Sequence, residues 1–180
     1  MKPASAVHRL MLLRHGKALR SRPGESDFDR MLDPRGIADA GKLGAYLARH
    51  RLVPGQVVVS PAVRARATWS QAAANCSQAP TATFDPRLYD AKAEAILAVI
   101  QEAAGTNSIL VVGHNPGLHD LAMWLIASGD VETRERLREN LPTAGLVVID
   151  FAVEAWSKLH PESGRLELFV EPETLDAAVD

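Results

Sequence analysis

One sequence pattern recurs along the chain and limits the folds that it can adopt: a short apolar run, a polar turn, and then apolar residues at helical spacing. The apolar runs at 9–13, 56–59 and 108–112 are each followed by such a turn and by a helical stretch of roughly 12 to 16 residues. Continuous apolar runs are typical of strands buried on both faces, and helical connections favour parallel pairing. The pattern therefore predicts an α/β fold, a three-layer α/β/α sandwich with a largely parallel central sheet.

Three of the predicted helices share one start signal, a capping side chain directly before a proline. Asp33, Ser60 and Asn115 stand in this position, where a side-chain oxygen can accept from a free helix N–H and the proline fits the first turn. Another helix is predicted between Asp90 as its cap and Gly105 as its stop. The remaining predicted elements are an extended piece at 81–84, a helix at 132–139, and strands at 145–151 and 165–170.

Length and composition indicate one soluble domain. The chain has 180 residues, of which 47% are hydrophobic and 23% charged, enough for one substantial core. The sequence contains no internal repeat, low-complexity block or linker that would divide it. We expect a single domain over residues 1–180, with a motif-bearing core at about 9–170 and an acidic tail at 171–180 that is loose at its end.

The charge balance argues against several classes of partner. Twenty basic and 22 acidic residues give a formal net charge of −2, which favours neither nucleic acid nor an anionic membrane. The apolar run at 10–13 stops at Arg14 and is too short for a signal sequence or a membrane span. The single cysteine, Cys76, cannot form an internal disulfide, so we expect a cytoplasmic protein. The sequence does not indicate an oligomeric state.

The residues suited to chemistry cluster at three strand-to-helix turns. Arg14 and His15 follow the first strand, Arg64 follows the second and His114 follows the central one. Such turns converge at the carboxyl edge of an open α/β sheet, where helix N-termini favour anions. Arginine and imidazole groups can neutralise a transferring phosphoryl group without a metal, and a neutral histidine is a competent nucleophile. Spacing alone leaves open which of the two histidines attacks.

Neighbouring residues have simpler interpretations. Arg66 lies about 200° around its helix from Arg64 and is predicted to be on the surface. His119 and Asp120 suggest a metal site, but the nearby arginines would repel a cation and the ligand set is incomplete, so we expect neither a metal nor another cofactor. Side chains predicted to serve in core or edge packing are Trp69, Met123 and Trp124.

The sequence also resembles a known family. The segment 13–18 reads LRHGKA, and the later segments SPAVRARAT at 60–68 and GHNPG at 113–117 each follow an apolar strand. Together these segments resemble the histidine phosphatase superfamily, in the form seen in its phosphohistidine phosphatase (SixA-like) branch. Shorter matching segments include Asp29 with Arg30, Leu32 and Gly36, Leu88 with Tyr89, and Pro142 with Thr143.

The resemblance implies a role for each matching residue. It makes His15 the nucleophile, with Arg14 and Arg64 as a clamp on the phosphate and His114 as the second histidine. Gly16 and Lys17 belong to the same motif and are expected to take part in substrate binding. Ser60 and Asn115 are interpreted as turn-shaping caps. The fold implied is the phosphoglycerate mutase-like core, and the chain has no room for a large cap insertion.

A general acid is not assigned by this resemblance. Asp85, Asp90 and Glu94 stand in the stretch where many members carry one. Without an acid, the best substrate is one whose leaving group departs easily, such as a phosphohistidine. A shallow pocket with residues 19–30 as its rim would admit a phosphorylated side chain of another protein. The alternatives are a phosphatase of a small sugar or nucleotide phosphate and a non-catalytic phosphate-binding module.

Overall fold

The computed structural model describes residues 6–176, which form the predicted three-layer α/β/α architecture. Its sheet has seven strands in the order β3-β2-β4-β1-β6-β7-β5. The strands are β1 (Val7–Arg14), β2 (Gln56–Val59), β3 (Thr83–Phe84), β4 (Ser108–Gly113), β5 (Ile126–Gly129), β6 (Leu146–Ala152) and β7 (Gly164–Val170). The helices are α1 (Pro34–Arg49), α2 (Val63–Ala74), α3 (Ala93–Gln101), α4 (Gly117–Leu125), α5 (Val131–Glu139) and α6 (Pro172–Asp176).

The sheet is largely parallel, as the helical connections predict. β1, β2, β3 and β4 pair in parallel, and so do β5 and β7, whereas β6 runs antiparallel to both β1 and β7. The register sets Arg14 of β1 opposite Gly113 of β4, and Val59 of β2 opposite Val112. The carboxyl ends of the three central strands therefore meet at one edge.

The core lies on both faces of the sheet because successive β1 side chains point to opposite sides. Leu10 and Leu12 pack in the cluster that includes α3 and α4, whereas Met11 and Leu13 pack in the cluster that includes α1 and α2. Trp69 of α2 is buried in the second cluster, as its spacing predicts. This alternation explains why an unbroken apolar run forms the central strand.

Two close approaches of backbone fix the parts of the fold that support the site. A Cβ at Gly36 would lie 2.2 Å from the carbonyl oxygen of Lys17, so only glycine lets the start of α1 pack on the loop after β1. A Cβ at Gly44 would lie 2.0 Å from the carbonyl oxygen of Ala72, where α1 meets α2. The predicted cap is confirmed at α1, where Asp33 Oδ1 accepts from the Gly36 amide at 2.7 Å.

The other predicted caps are wrong. Ala62 rather than Ser60 is the N-cap of α2, Lys92 rather than Asp90 precedes α3, and Pro116 rather than Asn115 precedes α4. Ser60 and Asn115 instead bond to distant parts of the chain, and Ser60 Oγ keeps one local contact, since it also accepts from the Ala62 amide at 3.4 Å. Strand β5 was not predicted, since its sequence IASG lacks an apolar run.

The acidic tail is only partly within the described residues. Residues 172–176 form the short helix α6, and residues 177–180, where we expected a loose end, lie outside the described part. Among the helices of residues 6–176, none is both long and apolar enough to cross a bilayer.

Candidate active site

The two histidines of the predicted site lie against each other where β1 and β4 end. His15 directly follows β1, His114 directly follows β4, and their ring centroids are 5.1 Å apart. Both side chains are buried, with 8% and 9% of their surface exposed. The parallel register of the two strands thus produces the pairing that the turn positions predict.

His15 is held in one tautomer by its own loop. Its Nδ1 lies 2.7 Å from the carbonyl oxygen of Gly16, and because a carbonyl only accepts, Nδ1 carries the proton. The lone pair of the neutral ring is therefore on Nε2. Burial, with smaller effects from His114, Arg64 and Arg14, lowers the pKa of His15 to about 3. The ring is neutral near pH 7, as a nucleophile must be.

His114 is oriented by a serine from the neighbouring turn. Its Nε2 lies 2.7 Å from Ser60 Oγ, and the edge of the Tyr89 ring packs against it at 5.6 Å between centroids. Burial and then the charge of Arg64 lower the pKa of His114 to about 4. A hydroxyl that donates to Nε2 leaves the proton of the neutral ring on Nδ1, where it is available as a donor.

Arg14 reaches across the end of the sheet. Its Nη1 donates to the carbonyl oxygen of Leu141 at 3.0 Å, and Asn115 Nδ2 donates to the same oxygen at 2.9 Å. Burial lowers the pKa of Arg14 from its usual value, although the guanidinium stays charged at neutral pH. The Leu141 carbonyl thus ties the turn after β4 to the guanidinium that follows β1.

Arg64 is buried in the first turn of α2, and both of its terminal nitrogens donate to the same residue, Asp27. Its Nη1 donates to the carbonyl oxygen of Asp27 at 2.7 Å, and its Nη2 donates to Asp27 Oδ2 at 3.0 Å. Arg66 points away, is exposed, and lies over the Phe84 ring at 5.1 Å, so it occupies the surface as predicted.

Three buried nitrogen atoms in this cluster have no hydrogen-bond partner among residues 6–176. They are Arg14 Nε, Arg64 Nε and His114 Nδ1. Buried N–H groups are nearly always satisfied in functioning proteins, by protein, water or a ligand. Two guanidinium donors and an imidazole donor beside a neutral histidine suit an anion with several oxygens, of which phosphate is the simplest.

The two remaining motif residues behave differently from each other. The Gly16 amide donates to Thr68 Oγ1 at 2.9 Å, and that hydroxyl donates to the Arg64 carbonyl at 2.7 Å. Both polar groups of Gly16 are thus used to orient His15 and join β1 to α2. Lys17 Nζ is 3.9 Å from Asp33 and lines a separate cleft, so the structure does not bring it into the cluster.

A carboxylate that sequence reasoning did not single out also belongs to the cluster. Asp27 accepts from Tyr89 Oη at 2.7 Å, in addition to its contacts with Arg64, and lines a cleft of about 180 Å³ with Tyr89, Asp90 and His114. Asp27 lies in the segment 19–30 that was expected to form the rim, and Arg30, three residues on, donates from Nε to Asp27 Oδ1 at 2.9 Å. These donors hold the pKa of Asp27 far below its usual value.

The three carboxyls left open as a general acid occupy different settings. Asp85 accepts from the Arg87 side chain, which lowers the pKa of the carboxyl. Glu94 is exposed in the first turn of α3, and Asp90 lines the same cleft as Asp27. Of the three, only Asp90 is therefore next to the histidine pair.

The structure gives no support to a metal at His119. Its Nε2 lies 2.6 Å from the Leu137 carbonyl oxygen, which ties α4 to α5. In the described part of the chain, no three His, Cys, Asp or Glu side chains are grouped as a metal site would require.

Comparison with known proteins identifies the family. Residues 10–92 match the model of the histidine phosphatase superfamily (branch 1). An uncharacterised protein of Mycobacterium tuberculosis (strain H37Rv) is 34% identical over 163 residues, which are 89% of this chain and 99% of that one. The chain belongs to the histidine phosphatase superfamily. Membership supports a phosphatase, a hydrolase of phosphorylated compounds.

Two solved structures extend the likeness over nearly the whole chain. A SixA protein of Agrobacterium tumefaciens, described as a candidate phosphohistidine phosphatase, is 30% identical, with a TM-score of 0.78 and coverage of 92% of this chain and 98% of that one. A SixA protein of Nakamurella multipartitia has a TM-score of 0.82 and 24% identity, and covers 94% of this chain and 99% of that one. The structural neighbours of this superfamily member thus include its SixA branch.

Proposed function

We propose that this protein is a metal-independent phosphatase that forms a covalent phosphoryl intermediate on His15 and acts on phosphohistidine in a protein. The observation that carries the proposal is the pairing of a neutral His15, with its lone pair on Nε2, with unpartnered buried donors on Arg14, Arg64 and His114. The fold and family support the same class of reaction.

In the first half of the reaction, His15 Nε2 attacks the phosphorus. The new P–N bond forms as the bond to the leaving group breaks, and the electron pair of that bond goes to the leaving atom. Arg14, Arg64 and His114 offset the charge on the equatorial oxygens. Because these donors are fixed by the Leu141 carbonyl, Asp27 and Ser60, little reorganisation is needed at the transition state.

In the second half, water attacks the phosphorus of phosphorylated His15. The P–N bond breaks, its electron pair returns to Nε2, and the proton lost by water goes to the phosphate or to solvent. While His15 carries the phosphoryl group, its ring is cationic, and the Nδ1–H bond to the Gly16 carbonyl stabilises that charge. The neutral ring is regenerated in its original tautomer.

Phosphohistidine suits this site because Asp27, the carboxyl that contacts Arg64, is a poor proton donor. Its hydrogen bonds from Tyr89, Arg30 and Arg64 lower its pKa and keep it ionised near neutral pH. An imidazole leaving group needs no proton at the broken bond, whereas an alkoxide does. The relative from Agrobacterium tumefaciens is described as a candidate for the same activity, which adds support.

A small phosphate ester is the second candidate substrate. Asp90 lines the cleft beside His114 and Arg64, and a carboxyl at that position could protonate an oxygen leaving group. A sugar or nucleotide phosphate would then be hydrolysed through the same His15 intermediate.

A rate comparison separates these substrates. We expect kcat/KM for a phosphohistidine-bearing protein to exceed that for each member of a panel of sugar and nucleotide phosphates by at least about 100-fold, equivalent to about 2.7 kcal/mol in the barrier. The rate should persist in excess EDTA and disappear in His15→Ala. Preferred hydrolysis of one ester would replace the substrate assignment, and binding of phosphate without turnover of any substrate would contradict the phosphatase itself.

A further inference from the structure

Asp27 is the acidic group placed at the boundary between the phosphate-binding arginine and the open cleft. Its carboxylate is half-exposed, although it accepts hydrogen bonds from Arg64, Arg30 and Tyr89. Its exposed part is free to contact whatever enters the cleft.

The cleft beside His114 is the place available for the leaving group of the proposed reaction. His15 is 8% exposed and is backed by the ends of β1 and β4, so an attacked phosphoryl group has its departing substituent on the solvent side. The cleft lined by Asp27, Tyr89, Asp90 and Asn115 also includes Arg64 and His114, whose ring centroid is 5.1 Å from that of His15. A departing group placed in this cleft would meet two carboxylates, whereas the phosphate would lie beside the cationic groups.

We infer that Asp27 is a specificity-determining residue that selects a nitrogen leaving group by accepting a hydrogen bond from the protonated imidazole ring of a phosphohistidine. The inference rests on the proposed function and deepens it, because it assigns the choice of substrate to one carboxylate. The same charge disfavours substrates whose departing group is anionic.

The electron and proton balance supports this selection. In a protonated phosphohistidine the ring is a cation that carries its phosphoryl group on one nitrogen and a proton on the other. When His15 Nε2 attacks, the P–N bond breaks, its electron pair stays on the ring nitrogen, and the ring leaves as neutral imidazole. Asp27 only accepts a hydrogen bond from the remaining N–H, and no proton transfer is required.

The proposed contact repeats an arrangement already present on the enzyme side. The Gly16 carbonyl accepts from His15 Nδ1, the nitrogen opposite the one that receives the phosphoryl group. With Asp27 bonded to the substrate ring, each imidazole has its second nitrogen on an oxygen acceptor. The phosphoryl group then passes between two similarly stabilised rings, while Arg64, which contacts Asp27, neutralises the oxygens between them.

The test compares Asp27→Asn with the wild type on two probes. One probe is free phosphohistidine, and the other is p-nitrophenyl phosphate, whose leaving group has no N–H and needs no proton. We expect kcat/KM for phosphohistidine to fall about 10- to 100-fold, the range for loss of a hydrogen bond to a charged group. The rate on p-nitrophenyl phosphate should fall by a smaller factor, about threefold, because this substrate loses only the contribution of Asp27 to holding Arg64.

Asp29→Asn is the matched control. Asp29 is an exposed carboxylate two residues along the same turn, and its removal changes net charge equally. Its two rates should match the wild type, and all three proteins should be folded at the assay temperature. An equal loss on both probes in Asp27→Asn would overturn the inference, since Asp27 would then act only by holding Arg64. Unchanged rates on both would overturn it too. Absence of turnover in the wild-type protein would instead contradict the proposed function.

Discussion

At the scale of single residues, the site assigns different hydrogen bonds to two similar side chains. His15 donates from Nδ1 to a carbonyl, which leaves Nε2 for attack, whereas His114 has Nε2 against Ser60 Oγ, and a proton donated by that hydroxyl would leave the ring proton of His114 on Nδ1. In the proposed mechanism one ring is therefore the nucleophile and the other a donor, although burial lowers the pKa of both. The partner of each ring, rather than the ring itself, sets its role.

Ser60→Ala tests this division. Without the hydroxyl, the neutral His114 ring loses the partner that favours its Nδ1–H tautomer, so stabilisation of the transferring group weakens. We expect kcat to fall about 10-fold with little change in KM, equivalent to about 1.4 kcal/mol. Ser70→Ala, at an exposed position on α2, should behave like the wild type. A Ser60→Ala protein that folds and turns over at the wild-type rate would show that the hydroxyl does not orient His114.

At the scale of elements, the spacing of apolar residues in the sequence was enough to predict the strands and helices that pack one face against the core. The strand at 9–13, the helix that begins after Asp33 and the strand at 108–112 all occur close to their predicted bounds. Burial of an apolar face depends on residue spacing alone, and spacing is visible in one sequence. The predicted three-layer order followed from those elements.

The hydrogen-bond partners of side chains that bond to distant parts of the chain could not be predicted from local sequence patterns. Ser60 and Asn115 have cap-like positions in sequence, yet each bonds to a group more than 25 residues away, at His114 and at the Leu141 carbonyl. The role of Asp27 was not predicted because its partner is also distant in sequence. Asp27 contacts Arg64 only because α2 packs on the turn at 27–29. The turn positions predicted that His15, Arg64 and His114 converge. The groups that hydrogen-bond to these side chains could be identified only from the structure.

At the scale of the whole molecule, a chain of nearly balanced charge contains a local cationic cluster at the carboxyl ends of the central strands. Arg64 is buried and Arg14 is partly buried next to two neutral histidines, even though the formal net charge is −2. Keeping these imidazoles buried and neutral has a consequence for stability. The unfolded chain binds protons at His15 and His114 more readily than the folded protein does.

This difference predicts that the protein loses stability as the pH falls from about 7 to 5. Both histidines have folded pKa values, about 3 and about 4, below the unfolded value of 6.5, so the unfolded state takes up protons first. At pH 5 each should lower the free energy of unfolding by about 2 kcal/mol relative to pH 7.

Urea unfolding at both pH values measures the change, and His15→Asn should show about half of it. His160→Asn, at an exposed histidine, is the control and should retain the wild-type change. Equal or higher stability at pH 5, in the absence of a bound anion, would contradict the buried neutral state.

The central claim is that His15 carries the phosphoryl group during turnover, and trapping that group tests it most directly. The protein is mixed briefly with ³²P-labelled phosphohistidine substrate, quenched in denaturant at alkaline pH, and its labelled peptide is sequenced. We predict one acid-labile, base-stable phosphoryl group, located on His15 and lost in His15→Ala together with turnover. Label on another residue, or undiminished turnover by His15→Ala, would contradict the account.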